Sequence, residues 1–278
     1  MRVAILGMGA IGHVVARGLE GRCDLVGVDR TRSPLRPGEA PVDAAVVATK
    51  TFGTAWAAEQ AERVLAPHGV VITIQNGLGN FETLAARLGE GRVAVGAIYV
   101  GAQLRPDGSL FATGPGRVQL GRPRDGEAAR HLEALAALLA AGGMDASVVD
   151  DPWAAVWRKV LVNAAMNPTT ALFGCTNGEL LEHPAGGPLA DELAREVARV
   201  ASAAGTSIGE DDGVSSWRDI ASALGANRSS MLQDVAAGRR TEVDAINGAV
   251  AREGERRGVP APLNQAMAVL VEAVSASA

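Results

Sequence analysis

Residues 2–20 read RVAILGMGAIGHVVARGLE. A short apolar run suited to a buried strand meets a glycine turn, and amphipathic helical spacing follows. Gly7, Gly9 and Gly12 have the Gly-x-Gly-x-x-Gly spacing of a dinucleotide fingerprint. Gly7 permits the tight turn, Gly9 lets backbone approach a pyrophosphate, and Gly12 lets helix and strand pack closely. The phosphates are expected on the free N–H groups of the helix N-terminus, where the dipole favours anions. The competing reading is a glycine-rich turn in some other α/β protein, and the strand-turn-helix context favours the nucleotide.

Working outward, a second strand, DLVGVD, ends at Asp29 and is followed by Arg30. An acid at this place grips the ribose 2′-hydroxyl of NAD, whereas an arginine accommodates the 2′-phosphate of NADP. The two neighbours therefore argue opposite ways. A Pro-rich link from Ser33 to Pro41 leads to a third strand, DAAVVATK, with no room for a helix between. Next come a helix near Ala55–Leu65, a strand GVVITIQN, a turn QNGLGN, a helix from Phe81 to Leu88 and a strand RVAVGAIYV. Alternating strands and helices mean a mostly parallel sheet. Lys50 and Asn76 fall at the C-terminal ends of strands, the edge where open parallel sheets bind ligands. A hairpin is expected around AQLRPDGSLFATGPGRVQLG, with turn residues at Pro106-Asp107-Gly108 and Gly114-Pro115-Gly116, and the helix in RDGEAARHLEALAALLAAGG is expected to close a first domain at residue 150.

From Asp151 helical periodicity takes over, so a helical second domain is expected over 151–278. The segment DPWAAVWRKVLVNAAMNP opens with an Asp cap and Pro at the first helical position, and Pro168 should kink or end the helix after Asn167. Lys159, Asn163 and Asn167 recur every four residues and so form one polar stripe on an apolar helix. The bland reading of such a stripe is a solvated face. NGELLEHP reads as a turn or short helix, and a long helix is expected from about Pro188 to Ala204. Ser230-x-x-Gln233 and Thr241-x-x-Asp244 resemble capping patterns, which would place Ser230 and Glu242 at helix N-termini.

Composition excludes several classes. The 278 residues carry a net charge of −5, with a pI near 5.5, so no basic surface points to nucleic acid or an anionic membrane. Two cysteines and four histidines, scattered, support neither a disulfide framework nor a metal site. The first residues lack a signal-peptide cleavage pattern, and no apolar run is long enough to span a bilayer. A soluble cytoplasmic protein is the expectation.

These pieces together resemble the ketopantoate reductase (2-dehydropantoate 2-reductase) family over nearly the whole chain. The specific matches are GMGAIG, the TK at Lys50, QNGLGN, WRKVLVNAAMNPTTAL, TNGEL, SSMLQD and TEVDAINGAV. The resemblance implies a Rossmann-type dinucleotide-binding domain followed by an all-helical domain, with the polar stripe facing the space between them. It implies Lys159 as general acid, with Glu242 assisting catalysis. Asn76, Asn163, Asn167, Asn227 and Ser230 would bind substrate, Ser230 through its carboxylate. Gly7, Met8, Gly9, Ala10, Ile11, Gly12, Arg30, Lys50, Asn76 and Glu242 would lie against the cofactor, NADPH, with NADH possible. Reduction of a ketone builds negative charge on oxygen, which an ammonium stabilises and protonates. The family's activity is NADPH-dependent conversion of ketopantoate to (R)-pantoate for pantothenate and coenzyme A synthesis, on a small 2-oxo acid, and a homodimer is possible.

The chain departs from the family pattern in a short Arg30–Lys50 region and in GAIYVGA, where threonines commonly face the substrate. Reduction of another 2-oxo acid, or dinucleotide binding without turnover, are therefore the alternatives. Lys159 and Glu242 discriminate against the second, since a mere sensor needs neither.

Overall fold

The structure is a computed structural model that describes residues 1–30, 39–105, 107–121 and 126–276. Much of the Pro-rich link and Pro106 of the first hairpin turn lie outside the described residues. The chain divides into two compact units, one of Met1–Gln75 with Gly79–Ala155 and one of Asn76–Leu78 with Val156–Ala278. A contiguous split at residue 150 was expected; Asn76–Leu78 instead belongs with the helical unit.

The first unit begins with β1 (Arg2–Leu6), α1 (Ala10–Leu19), β2 (Asp24–Val28) and β3 (Val42–Val47). It continues with α2 (Thr54–Val64), β4 (Leu65–Thr73), α3 (Asn80–Leu88) and β5 (Val93–Tyr99). The hairpin β6 (Ala102–Leu104) and β7 (Leu110–Ala112) precedes β8 (Arg117–Gly121), α4 (Gly126–Ala141) and β9 (Asp145–Val149). Among the described residues the sheet has seven strands in the order β2-β1-β3-β4-β5-β8-β9, of which only the β5–β8 pair is antiparallel.

Side chains alternate across a strand, so both faces of the central strands must be apolar to be covered by helices. Val3, Ile5, Ala44, Val46, Val70 and Ile72 share one buried cluster with residues of α1 and α4. Ala4, Leu6, Ala45, Val47 and Val71 share the other with α2 and α3. Burying a side chain the size of Ile5 or Ile72 contributes roughly 1.5–3 kcal/mol. The helix α4 does not close this unit, because β9 follows it and pairs in parallel with β8. Its register is weak in the sequence: Asp145 is exposed and the next four residues are all half-buried, so no clean alternation announces an edge strand.

The long helix α5 (Pro152–Phe173) lies in the second unit from Val156 on, and its start is capped where Asp151 Oδ1 accepts from the Ala154 amide at 3.1 Å. Of the kink or end expected at Pro168, the end does not occur: the helix carries that proline in its interior. A proline leaves the carbonyl four residues earlier without its amide partner. That carbonyl, on Ala164, instead accepts from Asn247 Nδ2 at 3.0 Å. Short α6 (Asn177–Glu182) starts in a capping box between Thr176 and Glu179. The helices α7 (Gly186–Ala203) and α8 (Glu210–Ala223) are tied by Asp191, which accepts from Trp217 Nε1 and from both arms of Arg218. After α9 (Ser230–Ala236), a π-helical turn over Asp244–Gly248 runs into α10 (Ala249–Arg256), and α11 (Pro262–Ala276) follows. Among the described residues no helix is long and apolar enough to cross a membrane.

Candidate functional site

The strand order places β2 and β3 on opposite sides of β1, which makes the C-terminal ends of β1 and β3 the topological switch point. The turn Gly7–Gly9 leaves β1 there and feeds α1. Gly7 has φ +106°, and a Cβ on it would stand 2.7 Å from the Thr49 backbone nitrogen. A Cβ on Gly12 would meet the Gly7 carbonyl oxygen at 2.1 Å. Both positions therefore need glycine. Among the described residues nothing lies within 4 Å of a would-be Cβ on Gly9, and no side chain caps the helix that starts at Ala10. Open space before uncapped amides fits a pyrophosphate. The surroundings of Met8 and Ile11 are those of partly buried residues packed on the sheet core.

Lys50 stands where β3 gives way to a single 3-10 turn over Thr51–Gly53. Gln75, which the sequence reading passed over, organises that turn. Its Nε2 donates to the Thr49 carbonyl, Thr49 Oγ1, the Lys50 carbonyl and Thr54 Oγ1 at 2.9–3.3 Å. Arg30 is exposed just beyond β2, at the last described position before residue 39. Tyr99, within the GAIYVGA stretch where the chain departs from the family pattern, donates its hydroxyl to the Ala155 carbonyl at 3.1 Å.

The second unit gathers a set of side chains from distant sequence positions. The Asn76–Leu78 turn is held by the Leu78 amide donating to the Ala245 carbonyl at 2.9 Å, within the π-helical turn. Gly77 has φ +74°, and a Cβ there would overlap that carbonyl oxygen at 2.2 Å. So anchored, Asn76 Nδ2 donates to Glu242 Oε2 at 3.1 Å, and Asn163 Nδ2 reaches Asn76 Oδ1 at 3.5 Å. Glu242 is only 5% exposed. Burial pushes the Lys159 ammonium down to about 8, and the Glu242 carboxylate opposes that shift by favouring the charged form. Lys159, Asn163, Asn76 and Glu242 are thus brought together.

The other expected residues occupy separate places on this unit. Asn167 is buried on α5, and the Asn227 carbonyl accepts the Asn177 amide at 2.9 Å. Ser230 is exposed and is not a cap. The cap of α9 is Ser229, whose hydroxyl accepts from the Leu232 amide at 3.1 Å and from Thr170 Oγ1 at 2.7 Å. The Ser-x-x-Gln spacing picks out Ser230, but the hydroxyl that caps is its neighbour's, and three residues after Ser229 stands Leu232, which has no side chain to complete a capping box. The Glu242 carbonyl accepts the amides of Ala245 and Ile246, so Glu242 does open its helix, with Thr241 one place before it.

Only two lysines occur in the chain, Lys50 and Lys159, and arginine supplies every other basic charge of that type. Arginine stays protonated at any ordinary pH, so a position that must release a proton cannot use it. Both retained lysines are candidate site residues.

A glycine turn at the switch point of a parallel sheet, leading into uncapped helix amides, suits a dinucleotide, and the chain is an oxidoreductase. The family model described as ketopantoate reductase PanE/ApbA matches residues 30–125, and its C-terminal counterpart matches residues 151–275. A 2-dehydropantoate 2-reductase of Halobacterium salinarum is 38% identical over 84% of this chain and 76% of its own length. One from Archaeoglobus fulgidus is 34% identical over 98% of this chain and 97% of its own. Among solved structures, D-mandelate dehydrogenase with NADH and anilino(oxo)acetate superposes with a TM-score of 0.90 at 22% identity, covering 100% of this chain and 99% of that one. That likeness is one of fold. The chain belongs to the ketopantoate reductase family.

Proposed function

We propose that this enzyme reduces 2-dehydropantoate to (R)-pantoate with NADPH, a step toward pantothenate and coenzyme A. The observation that carries the reading is Lys159, held near pH 8 and facing the influence of Glu242, with Asn76 and Asn163 bonded into the same set. The bound cofactor would supply the hydride that reduces the ketone carbon. Gly7, Gly9, Gly12 and the amides of Ala10 and Ile11 would hold its pyrophosphate, with Lys50 beside the same sheet edge and Arg30 at the 2′-phosphate.

The protein's own part is proton delivery and orientation. The Lys159 ammonium stabilises the negative charge that grows on the ketone oxygen and gives that oxygen its proton. Glu242 keeps the ammonium charged at neutral pH against the pull of burial. Asn76 is fixed by its bond to Glu242, leaving Asn163 and Asn167 to offer donors and acceptors to a hydroxyl of the substrate. The exposed Ser230 hydroxyl is available for the carboxylate. Because the donor form of Lys159 is the charged one, turnover is full below about pH 8 and falls as pH rises through it.

A second reading keeps the same apparatus with another 2-oxo acid and NADH. It is favoured by Asp29 beside Arg30 and by the fold shared with an NADH-bound D-mandelate dehydrogenase. Loss of reduced-nicotinamide absorbance decides between them. Ketopantoate with NADPH should give the highest kcat/KM; a higher value with an aromatic 2-oxo acid or with NADH transfers the assignment to the second reading. Cofactor binding without consumption of any 2-oxo acid would reduce the chain to a binder.

A further inference from the structure

We propose that Asn247 is a positioning residue: its side-chain amide replaces the N–H that Pro168 lacks, and so clamps the helix bearing Lys159 to the helix that opens at Glu242. The assignment rests on the functional reading of Lys159 and Glu242, but its geometry stands apart from that reading.

Asn247 is 0% exposed, and its Nδ2 is shared by two acceptors, the Ala164 carbonyl at 3.0 Å and Asn264 Oδ1 at 2.9 Å. The orientation of that amide is dictated from the far end of a buried chain of bonds. Glu196, 4% exposed on α7, accepts the Leu263 and Asn264 amides at the start of α11, both at 3.0 Å. It also takes Asn264 Nδ2 at 2.9 Å. Asn264 must therefore turn its Oδ1 toward Asn247, and Asn247 must turn its NH2 toward Asn264 and Ala164. A donor is delivered to the one α5 carbonyl that a proline has orphaned.

The arrangement is retained at a cost. Among the described residues the buried Asn247 Oδ1 has no hydrogen-bond partner, which an apolar residue at this position would avoid. What the bond gives in return is register. Ala164 follows Lys159 by five positions, and Asn247 follows Glu242 by five. One hydrogen bond at the matching depth of each helix fixes how far Lys159 and Glu242 stand from one another. The π-helical turn that carries Asn247 also presents the Ala245 carbonyl that anchors Leu78, so the same turn sets Asn76 against Glu242. Single π turns of this kind are frequent at functional sites.

The test is a cycle of Asn247→Leu, Pro168→Ala and the double variant. Pro168→Ala returns an amide to the Ala164 carbonyl and makes the Asn247 donor dispensable. Since the chain has two lysines, 13C-labelled lysine gives two side-chain signals, which Lys50→Arg assigns. In Asn247→Leu, Lys159 should titrate at lower pH than in the unaltered protein, because the Glu242 carboxylate that supports its charge withdraws. The kcat should drop about tenfold, as for one buried carbonyl left unpaired, with NADPH affinity kept. In the double variant both the titration and kcat should return most of the way. An unchanged or upward-moving Lys159 titration in Asn247→Leu overturns the proposal, as does a double variant no better than Asn247→Leu alone. If Asn247→Leu does not fold, the double variant must fold, and failure of both is equally adverse. Should the unaltered protein reduce no 2-oxo acid, the functional reading falls, while the lysine titrations still decide the clamp.

Discussion

The two units build their candidate sites from different material. In the first, the candidate surface is backbone: glycines at 7, 9 and 12 keep side chains out of the turn, and the amides that open α1 carry no side-chain cap. In the second, it is side chains drawn from positions 76, 159, 163 and 242 and locked by one another. A backbone site must be written as spacing within a single short stretch, because only consecutive residues share one turn. A side-chain site has no such constraint, and its members need only arrive together. The costs differ as well. The first unit gives up chain entropy and side chains at its glycines, whereas the second bears a desolvated ammonium.

If the chemistry belongs to the side-chain unit alone, Lys159→Ala should lower kcat by about 10²–10⁴ and leave NADPH affinity nearly intact. Steady-state rates with cofactor binding followed separately check this, and a parallel loss of affinity would blur the division between the units. The converse is Gly7→Ala. With φ +106° and a Cβ 2.7 Å from the Thr49 backbone, the turn must shift. Dinucleotide affinity should fall on the order of 100-fold, from about 1–3 kcal/mol of backbone strain plus the displaced amides. Measured by cofactor titration, wild-type affinity in that variant would remove the cradle from the first unit.

Stability offers a finer test. The Lys159 pKa, down from 10.5 to about 8, means that the folded protein bears a penalty of about 3 kcal/mol when the side chain is charged. The penalty is complete below about pH 8 and disappears as pH rises toward 10.5. Lys159→Met should therefore unfold at higher denaturant at pH 7, with the advantage fading between those two values. A constant difference across pH would mean that packing, not charge, separates the two proteins. The smallest effect is expected at Ser230→Ala. The cap belongs to Ser229, so Tm should hold while KM for the 2-oxo acid rises about fivefold, the worth of roughly 1 kcal/mol in one hydrogen bond. A lowered Tm with unchanged KM would make Ser230 structural.

Legibility in the sequence followed the same divide. The fingerprint and the strand-helix alternation announced the first unit because each rests on local spacing. Its last strand, β9, was hidden because half-burial of four consecutive residues erases the period of two. In the helical unit the stripe of Lys159 and Asn163 was visible, and their link to Asn76 and Glu242 came only from likeness to a family, since no spacing relates residues 166 positions apart. What replaces the hydrogen bond that Pro168 removes from α5 was out of reach for a related reason. Proline predicts a lost hydrogen bond, and the replacement donor sits 83 positions away in Asn247. Arginine in nearly every cationic position, with lysine kept at 50 and 159, is a signal that composition alone did contain.

The three-residue turn Asn76–Leu78 has a consequence for how this protein can be taken apart or recombined. A gene fragment spanning 156–278 would encode almost all of the helical unit but not its missing loop. It would leave the Ala245 carbonyl without the Leu78 amide and Glu242 without Asn76. Chimeras that swap C-terminal halves between relatives at the linear boundary would inherit the same mismatch, because the incoming helix would meet a foreign turn. Modularity in this chain is spatial before it is genetic, and a clean exchange has to carry the turn along with the helices it serves.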